Sequence, residues 1–200
     1  MDDTLRAALS RDAADLYALG WLLGTSGNLS ARIDHERFVI TASGRHKGRL
    51  TREDFVVCDL SGEPRPGDPT PSAETLLHCA IYARLPDVGA VYHVHDPHAA
   101  LCSDRDAAAG HTTLADVEML KALGFWDDGA RVDVPIIPNP AHIPSLRDHL
   151  VDHLDGHDVF VPAVNVLRHG TYAWGATPFD AMRHTEALGY LFEYSWKQRE

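Results

Sequence analysis

Apolar residues recur at three- and four-residue steps through residues 3–23 (Leu5, Leu9, Ala13, Leu16, Leu19, Leu23), which predicts an amphipathic helix. The turn-forming stretch Gly24-Thr25-Ser26-Gly27-Asn28 ends that pattern. Residues 38–41 and 55–58 are short β-branched and aromatic runs that read as strands, and a polar loop, Ser43-Gly44-Arg45-His46-Lys47-Gly48, lies between them. Prolines and glycines crowd residues 61–70. Thr70-Pro71 then has the form of a cap and first position for a helix reaching Arg84, with Ala73, Leu76, Leu77, Ala80 and Ile81 on one stripe. Residues 88–95 form the next predicted strand, closed by Asp96-Pro97. Thr113 and Asp116 resemble a capping pair, and Gly124 a stop, around a helix of about ten residues. Residues 132–137 read as a strand whose Pro135 favours an edge. A helix follows Pro144 with Leu146, Leu150 and Leu154 in step. Strands at 164–169 and 172–174 then flank Gly170, and a last helix begins after Pro178. Interleaved helices and short strands, with no internal repeat, predict an α/β chain in which helices cover a sheet.

Composition narrows the function. Two hundred residues suit a single domain spanning 1–200, and 44% hydrophobic residues supply a full core. Eighteen basic against 29 acidic residues leave a net charge of −11, which disfavours nucleic acid and anionic membranes as partners. A bound phosphate therefore needs a local pocket. Cys58, Cys79 and Cys102 are odd in number and widely spaced, which argues for a reducing compartment. The Met1-Asp2-Asp3 start carries no signal-peptide pattern, and no apolar run is long enough to span a bilayer, so the expected location is the cytoplasm.

Thirteen histidines make the chain unusual. His93 and His95 end a predicted strand, and side chains two apart on a strand share a face at a spacing of about 7 Å. Two imidazoles so placed can converge on one ion, which zinc, iron, cobalt or nickel would suit, the alternative being two histidines on a solvated strand face. His169, ending another apolar strand before Gly170, is the best third ligand, while His78, His98, His111 and His142 are weaker candidates. Asn28, Ser43-Gly44 and Ser72 lie in loops rich in hydroxyls and free N–H groups, able to cradle an anion if the fold unites them. Ser72 is expected in the first turn of a helix. Two carboxylates stand out. Glu74 shares that predicted first turn, and Glu118 lies among apolar residues that could raise its pKa. A plain surface pair with Lys121, three residues on, is the better reading of Glu118 from spacing alone.

Taken in order, Gly24-Thr25-Ser26-Gly27-Asn28-Leu29-Ser30, Ile40-Thr41-Ala42-Ser43-Gly44, Pro71-Ser72-Ala73-Glu74, His93-Val94-His95 and His169-Gly170-Thr171-Tyr172-Ala173-Trp174-Gly175 resemble the motifs of the class II aldolase/adducin family. Within it, Asp116-Val117-Glu118-Met119-Leu120-Lys121-Ala122 resembles the branch that dehydrates 5-methylthioribulose 1-phosphate in methionine salvage. The resemblance implies a three-layer α/β/α domain around a mainly antiparallel sheet, assembled as a homotetramer. It implies one zinc ion (Zn2+) per subunit on His93, His95 and His169, with other divalent metals open. It also implies a phosphorylated ketose substrate held by Asn28, Ser43, Gly44 and Ser72, and catalytic carboxylates at Glu118 and Glu74. The rivals are an aldolase or 4-epimerase on the same scaffold and a non-catalytic adducin-like binding module, which would lack the metal histidines.

Overall fold

The computed structural model describes residues 2–156 and 161–198. Its centre is an eight-stranded sheet built from β1 (Asn28–Arg32), β2 (Arg37–Thr41), β3 (Phe55–Asp59), β4 (Ala90–Val94), β5 (His111–Ala115), β6 (Arg131–Ile137), β7 (Ala163–Val166) and β8 (Gly170–Gly175). Their spatial order is β3-β2-β1-β4-β8-β7-β6-β5. Every neighbouring pair is antiparallel except β6 and β7.

Period-two alternation sorts the strand side chains onto two faces. Phe38, Ile40, Val56, Val91, Val164, Val166, Tyr172 and Trp174 pack with α2 (Thr75–Arg84) and α4 (Ile143–Gly156). On the opposite face, Ala31, Val39, Phe55, Ala90 and Tyr92 pack with α1 (Asp2–Ala18). Farther along that face, Ala163, Ala173 and Val134 meet α3 (Pro97–Arg105) and α5 (Pro178–Lys197). The result is the expected three-layer arrangement around a mainly antiparallel sheet. Among the described residues, no helix is long and apolar enough to cross a membrane.

Several expected elements differ. The first helix stops at Ala18, because Gly20 takes a φ of +84° and turns the chain, leaving Leu19 and Leu23 exposed. The second starts at Thr75 instead of Pro71. The Thr70 carbonyl accepts from Ser43 N–H, and Pro71 bridges Ala42, so both belong to a loop contact. Ser72 accordingly precedes the helix. Thr113 lies inside β5, and only a 3-10 turn over Glu118–Leu123 remains of the expected helix, stopped at Gly124 with φ +93°. β6 is not an edge. Ile136 N–H donates to Gly110 on the β5 side, so alternation turns the Pro135 nitrogen toward β7, whose pairing begins only at Ile136. Two strands, β1 and β5, and the helix α3 had no expected counterpart. α3 is capped by Asp96, whose carboxylate accepts from His98 N–H at 3.0 Å.

Candidate metal centre and substrate cradle

β4 and β8 meet at the centre of the sheet, and the three histidines hang from that junction. Val91, His93 and His95 share one face by alternation, the face covered by α2. His95 lies one residue past β4, where its N–H donates to Trp21 O at 2.9 Å. His169 ends the tight turn between β7 and β8, its N–H donating to Val166 O at 3.0 Å. Two glycines permit this crowding. A Cβ on Gly170 would lie 2.1 Å from Val94 O, and one on Gly27, whose φ is +68°, would lie 2.7 Å from His93 O.

The three imidazoles converge with ligand atoms within 4.8 Å of one another. His95 Nε2 stands 3.1 Å from both His93 Nε2 and His169 Nε2. Tyr172 stacks on the fully buried His93 ring at a centroid distance of 4.0 Å. His93 Nδ1–H donates to Thr171 O at 3.2 Å, which leaves Nε2 bare and aimed at its neighbours. Glu74 closes the cluster, with Oε2 3.3 Å from His93 Nε2 and Oε1 3.5 Å from His169 Nε2. A bare imidazole nitrogen and a carboxylate oxygen that close repel each other unless positive charge lies between them. Burial pushes the His95 pKa down to about 4, and pushes His93 far below its ordinary value, with the neighbouring histidines adding to both shifts. Neutral imidazoles are the protonation state a metal ligand needs, and three of them beside a carboxylate fit a divalent cation.

Glu74 is the last residue before α2. Its carbonyl accepts from Leu77 N–H to start the helix, while its side chain turns to the histidines. Asn28, at the end of β1, holds that carboxylate through Nδ2, which donates to Oε2 at 2.9 Å. Ser43 N–H donates to Thr70 O at 3.0 Å, and the Ala42–Pro71 bridge lies beside it, so the Ser43-Gly44 loop packs against the loop carrying Ser72. Ser43 and Gly44 are exposed, and Gly44 has φ +69°. Ser72 Oγ accepts from Glu74 N–H at 3.4 Å, tying this loop to the centre. Lys47, almost fully buried, donates through Nζ to Thr25 O and Arg45 O at 3.0 Å each. Burial brings its pKa down to about 8. It thereby fastens the Gly24–Asn28 segment to the Ser43-Gly44 loop.

His93, His95, His169 and Glu74 thus form one cluster, with Asn28 and Ser72 bonded to Glu74 and the Ser43-Gly44 loop packed against the loop that carries Ser72. Glu118 is not part of it within this chain. Its side chain is 84% exposed and pairs with Lys121 at 2.6 Å, so the apolar surroundings are absent and the plain surface pair is what forms. The apolar residues of the segment, Leu120 and Leu123, point inward instead. Sequence reasoning missed Tyr172 and the role of His78, whose ring is fully buried against Ser30 and Asn28.

The family model for the class II aldolase and adducin N-terminal domain matches residues 7–196, so the chain belongs to that family. A methylthioribulose-1-phosphate dehydratase from Methylococcus capsulatus is 47% identical over 192 residues, covering 96% of this chain and 92% of the relative. A second protein of that name, from Microcystis aeruginosa, is 38% identical over 94% of this chain and 93% of its own. Among solved structures, an L-fuculose-1-phosphate aldolase from Thermus thermophilus superposes with a TM-score of 0.78 at 25% identity, over all of this chain and 97% of its own.

Proposed function

We propose that this member of the class II aldolase and adducin family is a hydro-lyase that dehydrates 5-methylthioribulose 1-phosphate, a cytoplasmic step of methionine salvage. The observation that carries the reading is 47% identity to a dehydratase of that name along 92% of the relative's length. The converging histidines agree with it and disfavour the adducin-like binding module. The three cysteines are free, in keeping with a reducing compartment.

The reaction removes the C3 proton and the C4 hydroxyl as one water, and the remaining enol becomes a 2,3-diketone. His93, His95 and His169 would hold one zinc ion per subunit. Bound there, it supplies a Lewis acid that draws electron density from the C2 carbonyl and acidifies the C3 hydrogen. Ser43, Gly44 and Ser72, with Asn28 at their inner end, hold the phosphate and so fix the reacting carbons over the histidines. Glu74 sets a carboxylate against the same nitrogens of His93 and His169, adding negative charge beside the ion they would hold. Glu118 takes the C3 proton and returns it to the departing C4 hydroxyl. Because it is exposed on its own chain, we assign it to the centre of a neighbouring copy in a homotetramer.

The test is turnover of the purified, zinc-loaded protein on 5-methylthioribulose 1-phosphate, followed by diketone absorbance. Diketone formation supports the reading. Release of a triose phosphate instead would make the chain an aldolase, a reading the likeness to L-fuculose-1-phosphate aldolase keeps specific.

A further inference from the structure

The side chains behind Glu74 form a continuous hydrogen-bonded line into the core. Asn28 uses both ends of its amide, with Nδ2 donating to Glu74 Oε2 at 2.9 Å and Oδ1 facing His78 Nε2 in a short contact. His78 Nδ1 lies 2.7 Å from Ser30 Oγ, and Ser30 Oγ lies 2.7 Å from Tyr82 OH. Asn28, Ser30, His78 and Tyr82 are all buried, His78 and Ser30 fully. The line therefore exchanges no partners with solvent, and its donors and acceptors must match throughout.

With Glu74 as the carboxylate, one tautomer of His78 satisfies it, and Ser30 Oγ, which also lies 3.4 Å from Val91 O, can serve Nδ1 as a donor. The Glu74 carboxylate accepts, so Asn28 must present its NH₂ there and its oxygen to His78. That oxygen needs a donor, so His78 carries its proton on Nε2. Nδ1 is then an acceptor and receives the Ser30 hydroxyl proton, and Ser30 Oγ receives the Tyr82 hydroxyl. With the opposite tautomer, the Asn28 amide turns over and sets its oxygen against the carboxylate. Burial keeps the His78 ring neutral, pushing its pKa to about 3. Packing holds its plane, because the Tyr172 ring meets it edge-on at 5.8 Å while stacking on His93.

We infer that His78 is a positioning residue for Glu74: its Nε2–H, with Nδ1 held by the Ser30 hydroxyl, fixes the Asn28 amide and through it the carboxylate beside His93 and His169. His78 and Ser30 are fully buried behind Asn28 and do not touch substrate. It rests on the proposed dehydratase reading only for the kinetic arm of its test.

The spectroscopic arm needs no turnover. A long-range proton–nitrogen correlation spectrum of the zinc-loaded protein should show His78 protonated at Nε2, and a ring protonated at Nδ1 overturns the inference. The kinetic arm compares two polar variants of similar bulk. The amide of His78→Gln reaches the Nε2 position and can still donate to Asn28, whereas that of His78→Asn reaches only the Nδ1 position and keeps Ser30 alone. Partners that orient metal-site residues are typically worth roughly 10–100-fold. With equal zinc content and melting temperature, His78→Asn should lower kcat by about that factor at little changed KM, while His78→Gln stays within a few-fold of the parent. Equal kcat in the two variants overturns the inference, since a merely structural role would treat them alike. A parent inactive on 5-methylthioribulose 1-phosphate would refute the dehydratase reading and leave the nitrogen spectrum to decide the tautomer.

Discussion

Glu118 presents the sharpest test of how the active site is assembled. Its side chain is 84% exposed and held by Lys121, while the histidines occupy the β4–β8 junction. If each working site joins the histidines of one copy to the Glu118 of another, two inactive variants must rescue each other. Loss of a general acid/base costs about 10²–10⁴-fold, so Glu118→Gln alone should be nearly silent. His95→Ala alone should be silent because the ligand set is broken. In a mixed, symmetric oligomer formed at equal expression, a site is rebuilt when intact histidines meet an intact Glu118 from the other type. Random assembly rebuilds about a quarter of all sites. Co-expression with two different tags, tandem purification and the diketone assay would measure this, with kcat expressed per histidine-intact subunit. Activity no greater than the sum of the two parents would refute assembly across copies. Near-parental kcat in Glu118→Gln alone would remove Glu118 from the chemistry altogether.

Three further outcomes follow from the geometry. Single Ala replacements of His93, His95 and His169 should each abolish turnover and lower bound metal, and full occupancy by elemental analysis in all three would refute the ligand set. Ser72→Asp sets a like charge against the phosphate and should raise KM steeply, whereas an unchanged KM takes Ser72 out of the cradle. His95 and His78 are pushed down to about 4 and about 3 from an ordinary 6.5. The unfolded chain binds their protons first, so the metal-free protein should lose stability as pH falls below 6.5, by about 1.4 kcal/mol per pH unit for a histidine as buried as His78. Urea melts from pH 7 to pH 5 should show this slope flattened in His78→Gln, and parallel slopes would contradict it.

The parts of the fold that sequence pattern revealed are those whose apolar residues alternate or recur cleanly, such as Phe38 and Ile40 in β2 or Leu146, Leu150 and Leu154 in α4. β1 escaped because two of its buried positions are polar. Asn28 reads as turn chemistry and Ser30 interrupts the apolar run, yet the former is satisfied by Glu74 and His78 and the latter by His78 and Tyr82, about 50 residues away in the chain. β5 escaped likewise, since Thr113 resembles a cap residue and only pairing with β6 makes its segment a strand. The site divides in the same way. The histidine pair announced itself by its two-residue step, because a strand places such residues on one face whatever lies around it. His78 did not, because one helical histidine acquires meaning only when Ser30 and Asn28 arrive at its two nitrogens. Glu118 is the opposite case. Its apolar neighbours offered a sheltered carboxyl and its spacing to Lys121 favoured a surface pair, and the pair is what forms, because in the 3-10 turn Leu120 and Leu123 face the core and leave Glu118 outside. A carboxylate so exposed is not sheltered by its own chain, so the role proposed for Glu118 requires a surface from a neighbouring copy, which the apolar pattern of one chain does not encode.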